Sequence, residues 1–262
     1  MPLPEFEHVR FRRSPLKLVV GQLQVPIMLR FSEPVFIARF QEAIHRDYPK
    51  LTRGQQTTIT VSRQGMDPIG NEALWHFASR DGAWSVAVTE TAITLQVEGY
   101  STRDEFFERF KAILANARDT LGIEDRTRLG LRYVNEFRFP EATTLADWRP
   151  LLTPEFVGFA AAELLDGNVE QLFHNLVVRR TDGVLAIRHG LLPERLPSQD
   201  VSVTPSTGRP YLLDLDYFDP TEGTLDTDMV IAILHDYNDV IYRFFRWTLS
   251  TRLYNYLEPI HE

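Results

Sequence analysis

The sequence predicts an α+β protein of two ferredoxin-like (split β-α-β) halves, with mainly antiparallel sheets and a long C-terminal helix. Three observations predict it. Short segments alternate apolar and polar residues at period two and end in Gly, Asp or Pro turns. Two long segments, from Phe106 and from Val230, instead carry apolar residues at helical spacing. Each half shows a hairpin, a further strand, a polar turn with a helix cap, and then one of these long helices. The expected halves are residues 1–140 and 141–262, sharing one core; they do not match closely enough to be a sequence repeat.

In the first half, Leu16–Leu29 reads as a strand, with Pro26 implying an edge position or a bulge. Ser32 is expected to cap a helix that has Pro34 in its first turn and Phe36, Phe40, Ala43 and Ile44 on one stripe. That helix should stop at Tyr48-Pro49. Thr57–Ser62 alternates as a strand, and Leu74–Ser79 with Trp84–Thr89 reads as a hairpin around Arg80-Asp81-Gly82. Ile93–Val97 follows as a strand. Thr102-Arg103-Asp104-Glu105 is a capping box opening a helix whose stripe is Phe106, Phe107, Phe110, Ile113, Leu114, Ala117 and Leu121, with Gly122 ending it. The strand Arg128–Phe139 closes the half. Its Leu129, Leu131, Tyr133, Phe137 and Phe139 should face inward beneath the helix, together with Trp84, Val86 and Val88.

In the second half a helical segment is expected over Leu145–Leu165, interrupted by Pro150 and Pro154. Gln171–Arg180 and Val184–His189 form a hairpin around Thr181-Asp182-Gly183. Four prolines make 193–210 the longest loop. The strand Tyr211–Phe218 then leads through an acidic turn into a helix from Thr227 to about Leu257.

Composition narrows the functions. Cysteine is absent, which excludes a disulfide framework, a Cys-ligated zinc, an iron–sulfur cluster and a thiol nucleophile, and fits a reducing cytoplasm. Met1–Phe11 is polar and carries no secretory signal pattern, and no run approaches the roughly 18 apolar residues of a membrane span. A net charge of −8 argues against nucleic-acid binding over a broad face. No phosphate loop, dinucleotide fingerprint, G-x-S-x-G elbow or HExxH pair is present.

Several segments share a wider pattern: Gly82-Ala83-Trp84-Ser85-Val86, Tyr100, the Phe106/Phe107/Phe110 helix, Arg128-Leu129-Gly130-Leu131-Arg132-Tyr133-Val134-Asn135, and Leu213-Asp214-Leu215-Asp216 with the terminal helix. On this pattern, which spans nearly the whole chain, the protein resembles a sporadically distributed family of uncharacterised bacterial proteins of about this length. The resemblance implies no particular activity, cofactor or catalytic residue. Patchy occurrence implies horizontally moved genes, including those of host–virus or toxin–antitoxin conflict.

Three sets of residues are candidate sites. Asp214 and Asp216 share one strand face, and with Asp228 and His235 they could hold a divalent cation for phosphoester chemistry. Alternatively Asp214 and Asp216 are the solvated face of a strand, and Asp226 and Asp228 cap a helix. Arg126, Arg128, Arg132 and Arg138 share a face with Glu136, either receiving phosphates or carboxylates or pairing with the chain's own acids. Asn135 sits on the apolar face and reads as a structural amide. Tyr242 and Trp247 fall off the inner stripe of the last helix, marking a protein contact or burial beneath the 193–210 loop. His174 and His189 are expected near each other across the second hairpin, in a surface or packing role.

These sets read as a non-catalytic protein-interaction, adaptor or regulatory component of the cytoplasm, and the resemblance implies a bacterial system of the antiviral-defence or toxin–antitoxin type. It needs no cofactor, does not meet a membrane, and takes a protein partner or a second copy on its C-terminal helix. The alternative is a divalent-metal-dependent phosphoesterase or nuclease. RNA binding on a ferredoxin-like sheet is a weaker alternative, since the overall charge opposes it.

Overall fold

The computed structural model describes residues 3–62, 65–158, 169–192 and 208–260. The strands are β1 (Arg10–Phe11), β2 (Leu16–Gln24), β3 (Lys50–Ser62), β4 (Gly65–Ala78), β5 (Trp84–Val88), β6 (Ala92–Glu98), β7 (Asp125–Arg126), β8 (Arg128–Phe137), β9 (His174–Arg180), β10 (Gly183–Leu191), β11 (Tyr211–Asp219), β12 (Gly223–Thr224) and β13 (Pro259–Ile260). The α-helices are α1 (Pro34–Ile44), α2 (Arg103–Leu121), α3 (Leu145–Trp148), α4 (Pro154–Val157), α5 (Thr227–Thr248) and α6 (Thr251–Tyr256). The fold is therefore mixed α+β, and its pairings are mainly antiparallel, as at β3/β4, β4/β5, β5/β6, β2/β6 and β9/β10. The chain divides into two compact units, Leu18–Arg132 with Phe218–His235, and Met1–Lys17 with Tyr133–Tyr217 and Asp236–Glu262.

In the unit built on Leu18–Arg132 the strands follow the order β3-β4-β5-β6-β2-β8. Helix α2 supplies its core. Thr102 caps it by accepting a hydrogen bond from the Glu105 amide, and Gly122 ends it in the left-handed region at φ 66°. Every residue of the expected stripe is buried. A Cβ on Gly21 would lie 3.1 Å from the Phe110 ring and 3.2 Å from that of Phe106, so the β2 backbone runs directly against the helix. Leu129 and Leu131 are fully buried, and so are Val86 and Val88.

Two expectations in this unit are corrected. The strand predicted to reach Leu29 ends at Gln24, because Pro26 lacks the donor a ladder needs and Leu29–Ser32 coils into a 3₁₀ turn. Ser32 belongs to that turn, its hydroxyl donating to the Leu29 carbonyl at 2.7 Å, so the residue preceding α1 is Glu33.

In the other unit β8, β11, β10 and β9 are neighbours in that order. Tyr133, Phe137 and Phe139 are buried, as their parity predicts, but not beneath α2 as expected: Tyr133 meets Asn238 and Phe137 meets Phe245 on α5, and Phe139 meets Tyr256 on α6. Tyr211, Leu213, Leu215 and Tyr217 share a face of β11, and Tyr217 lies 4.4 Å from the ring of Tyr237 on α5. The expected helical segment from Leu145 is interrupted at its prolines as predicted, into α3, which ends before Pro150, and α4, which starts at Pro154; residues 159–168 lie outside the described ones. Most of the 193–210 loop lies outside them too. The terminal helix stops at Thr248 rather than near Leu257. Leu249 leaves it to bridge Leu152, and Ser250 caps α6 by accepting from the Leu253 amide at 3.2 Å.

Candidate interaction site

The acidic residues resolve first. Asp214 is buried, only 3% exposed, and accepts from Arg188 at 3.3 Å, so it is neither the solvated residue of one reading nor an open ligand of the other. Asp216 is half-buried on the same strand face. Asp226 caps α5 by accepting from the Asp228 and Met229 amides, and Asp228 pairs with Lys111 at 2.5 Å. His235 stands edge-on to Phe107, ring centres 4.6 Å apart. Among the described residues no three His, Asp or Glu side chains gather as a metal site requires.

The arginines are engaged within the chain. Arg128 donates to Gln22 Oε1 at 2.9 Å and lies 4.3 Å over the Phe218 ring. Its guanidinium occupies the space beside Gly130, where a Cβ would come within 2.7 Å. Arg138 pairs with Glu136 at 2.5 Å, and Arg126 donates to the Thr221 carbonyl at 3.0 Å. Arg132 is half-buried on the same strand and also has a partner. Asn135 is buried and donates to the Leu213 carbonyl, as a structural amide does.

The C-terminal aromatic residues also have internal uses. The Tyr242 hydroxyl accepts from the Val9 amide (2.9 Å) and donates to the Glu7 carbonyl (2.8 Å), pinning the N-terminal segment to α5. Arg246 projects among the rings of Phe6, Phe11, Tyr242 and Tyr254, its guanidinium 4.1 Å from the last. Trp247 is half-buried beside Phe244 and Phe156.

Consecutive exposed apolar residues gather on the second hairpin, whose register runs without a shift from Gly183↔Arg180 to His189↔His174. Its inner strand β10 is buried, while β9 is exposed at every residue after His174. Leu176 is 56% exposed, Val177 60% and Val178 37%, and Phe173 just before the strand is 56% exposed. β9 ends the strand order, so its outer edge pairs with no strand among the described residues. Arg179 and Arg180 follow the apolar run.

Two polar clusters hold this hairpin in place. At the turn, Tyr217 donates to Asp182 Oδ1 at 2.6 Å, and Arg180 Nε donates to Asp182 Oδ1 (3.2 Å) and to the Tyr217 oxygen (3.1 Å). Burial, then the Asp182 bond, pushes the Tyr217 hydroxyl up to about 12. Burial would raise Asp182, but the Tyr217 hydroxyl and the Arg180 guanidinium more than offset it and hold the carboxyl low. At the other end His189 is 7% exposed, its Nδ1 2.8 Å from the Tyr211 hydroxyl and its ring stacked 3.8 Å from Phe156. His174 stands 4.8 Å away across the strands. Burial, and secondarily the charge of His174, lowers the His189 pKa to about 4, so the imidazole is neutral at pH 7. Gly190 lets the chain close: a Cβ there would lie 1.9 Å from the Leu172 carbonyl oxygen.

The sequence predicts this strand within Gln171–Arg180 but not its exposure, because Leu176-Val177-Val178 is a continuous apolar run. Such a run reads as an interior strand unless its neighbours are known. The doubled arginine after it was the available signal that this strand could be an edge. No protein-family model matches the sequence, and no curated protein is similar to it.

Proposed function

We propose that the chain is a non-catalytic protein-interaction component, adaptor or regulator, of a bacterial multi-protein system such as the sequence resemblance implies. One observation carries this reading: an edge strand with four exposed apolar residues, Phe173, Leu176, Val177 and Val178, held rigidly by a buried neighbour strand. Unpaired strand edges with apolar side chains are templates for pairing with another chain, and a strand without that use is usually blunted by charge, proline or a bulge. Residues 174–180 hold no proline and their pairing shows no bulge, and the strand's charges, Arg179 and Arg180, stand at its end and leave Leu176-Val177-Val178 uninterrupted. The paired states of Asp228 and Asp214 support the same reading over metal chemistry.

The test compares affinity capture by wild type and by Val177→Lys from cells of the source. Proteins retained by wild type and lost by the variant are the expected result. Identical retained sets, or hydrolysis of phosphodiesters that depends on Mg²⁺ or Mn²⁺ and on Asp214, overturn the reading.

A further inference from the structure

The β9 edge carries its own complement, and we propose that its occupant is the same strand of a second copy, paired antiparallel about a two-fold axis at Val177. This rests on the interaction reading above and specifies its partner.

The backbone sets the register. The Leu172 amide donates to the Leu191 carbonyl at 3.3 Å, which makes that pair a hydrogen-bonded one. In an antiparallel ladder hydrogen-bonded and non-hydrogen-bonded pairs alternate. With the pairing unshifted along the hairpin, His174, Leu176 and Val178 therefore turn their amides and carbonyls toward β10. Phe173, Asn175, Val177 and Arg179 turn theirs outward. A two-fold at Val177 sets Val177 opposite its own copy and Asn175 opposite Arg179, twice. Every one of these residues has outward-facing donors and acceptors, so each pair closes a reciprocal set of N–H···O bonds.

The side chains agree with that register. Leu176 comes opposite Val178 of the second copy on one face, and Val177 meets Val177 on the other. Three residues 37–60% exposed thus cover one another. Arg179 meets the Asn175 amide, whose oxygen accepts from a guanidinium, and no arginine faces an arginine. A two-fold at Arg179 would oppose two like charges; the one at Val177 avoids that cost. An isologous interface needs a surface complementary to itself, and this strand meets that condition in both its backbone and its side chains. The hairpin is also prepared for it: the Tyr217–Asp182–Arg180 cluster ties the turn end of β9 to β11, and the His189–Tyr211 contact ties β10 to β11, before any partner arrives.

The experiment measures mass by light scattering during size-exclusion chromatography, from about 1 to 100 µM protein, the range over which a small interface dissociates. Wild type, Val177→Pro and Val177→Lys are run in parallel. Proline removes the outward amide at the centre, while lysine keeps the backbone and opposes two charges. Circular dichroism and thermal melting establish that each variant is folded. The expected result is a wild type that approaches twice the monomer mass as concentration rises. Both variants should remain monomers, with the apparent dissociation constant raised at least tenfold. A wild type that stays monomeric throughout overturns the inference, and captured partners lost by Val177→Lys would leave the interaction reading standing. A dimer that survives both substitutions overturns the inference by placing the contact elsewhere.

Discussion

His189 should make the fold sensitive to mild acid, and the size of the effect follows from its surroundings. The imidazole is enclosed by Phe156 and Tyr211, with His174 on the neighbouring strand. Its folded pKa is about 4, below the ordinary value of 6.5. The neutral form is thus the one the fold favours. Well above pH 6.5 neither folded nor unfolded chain is protonated at this site, and its contribution is fully present. As pH falls from 6.5 toward 4, the unfolded chain takes up a proton that the folded chain refuses, so stability is lost across that window. The gap corresponds to about 3 kcal/mol at its acid end.

The assay is urea unfolding followed by tryptophan fluorescence, for wild type and His189→Gln, at steps from pH 7.5 to 4.5. Glutamine keeps a hydrogen-bonding group for Tyr211 but does not titrate. At pH 7.5 the variant should be the less stable, having lost the stack on Phe156. Toward pH 4.5 the wild-type advantage should shrink by about 2–3 kcal/mol and can change sign. Carboxylates titrate in both proteins and cancel in the difference. A difference that stays constant across the range would mean that the imidazole takes its proton inside the fold, and the account of its burial would fail.

Other outcomes follow from single contacts. Gly190→Ala places a methyl against a backbone oxygen that cannot rotate away, so unfolding should show a loss of about 2 kcal/mol or more; Gly130→Ala meets only the end of the Arg128 side chain, whose bond to Gln22 it disturbs, and should cost about 1 kcal/mol. Tyr133→Phe leaves the buried Asn238 amide without the hydroxyl it donates to at 2.9 Å, and the melting curve should report a loss of about 1–3 kcal/mol. Arg246→Ala should release the N-terminal segment, seen as faster hydrogen exchange at Val9 and Phe11, while Arg246→Lys restores part of the protection. Millimolar Mg²⁺ or Mn²⁺ should leave the melting temperatures of wild type and Asp214→Asn/Asp216→Asn unshifted; a wild-type rise that the double variant lacks would revive the metal reading.

What the sequence made legible is what depends on local spacing. The α2 stripe, the Thr102 cap and the Gly122 stop are each set by residues within a few positions of one another and stand as expected, although the Glu105 carboxylate turns to Ser101 and Arg109 rather than closing the capping box. So does the burial parity of Leu129, Leu131, Tyr133, Phe137 and Phe139, because a period of two leaves only two choices of face. Boundaries fared worse wherever a tertiary partner decided them. Ser32 has the chemistry of a cap but spends its hydroxyl on Leu29, and the terminal helix breaks where Leu249 turns to Leu152.

The candidate sites depended on distances that sequence does not encode. Asp214 and Asp216 are two apart on a strand, which predicts a shared face but not whether that face is covered. Arg188, twenty-six residues away, decides the matter by claiming Asp214. The same logic runs in reverse on β9. Leu176-Val177-Val178 has the composition of a buried strand, and β10 next to it, Val184-Leu185-Ala186-Ile187, has nearly the same composition and is buried throughout. Composition cannot separate the two strands; position in the sheet order does. An apolar strand left at the edge by its topology has a composition suited to a neighbour that the described residues do not supply. That mismatch between what the residues are made for and what surrounds them is the strongest pointer to function in this fold.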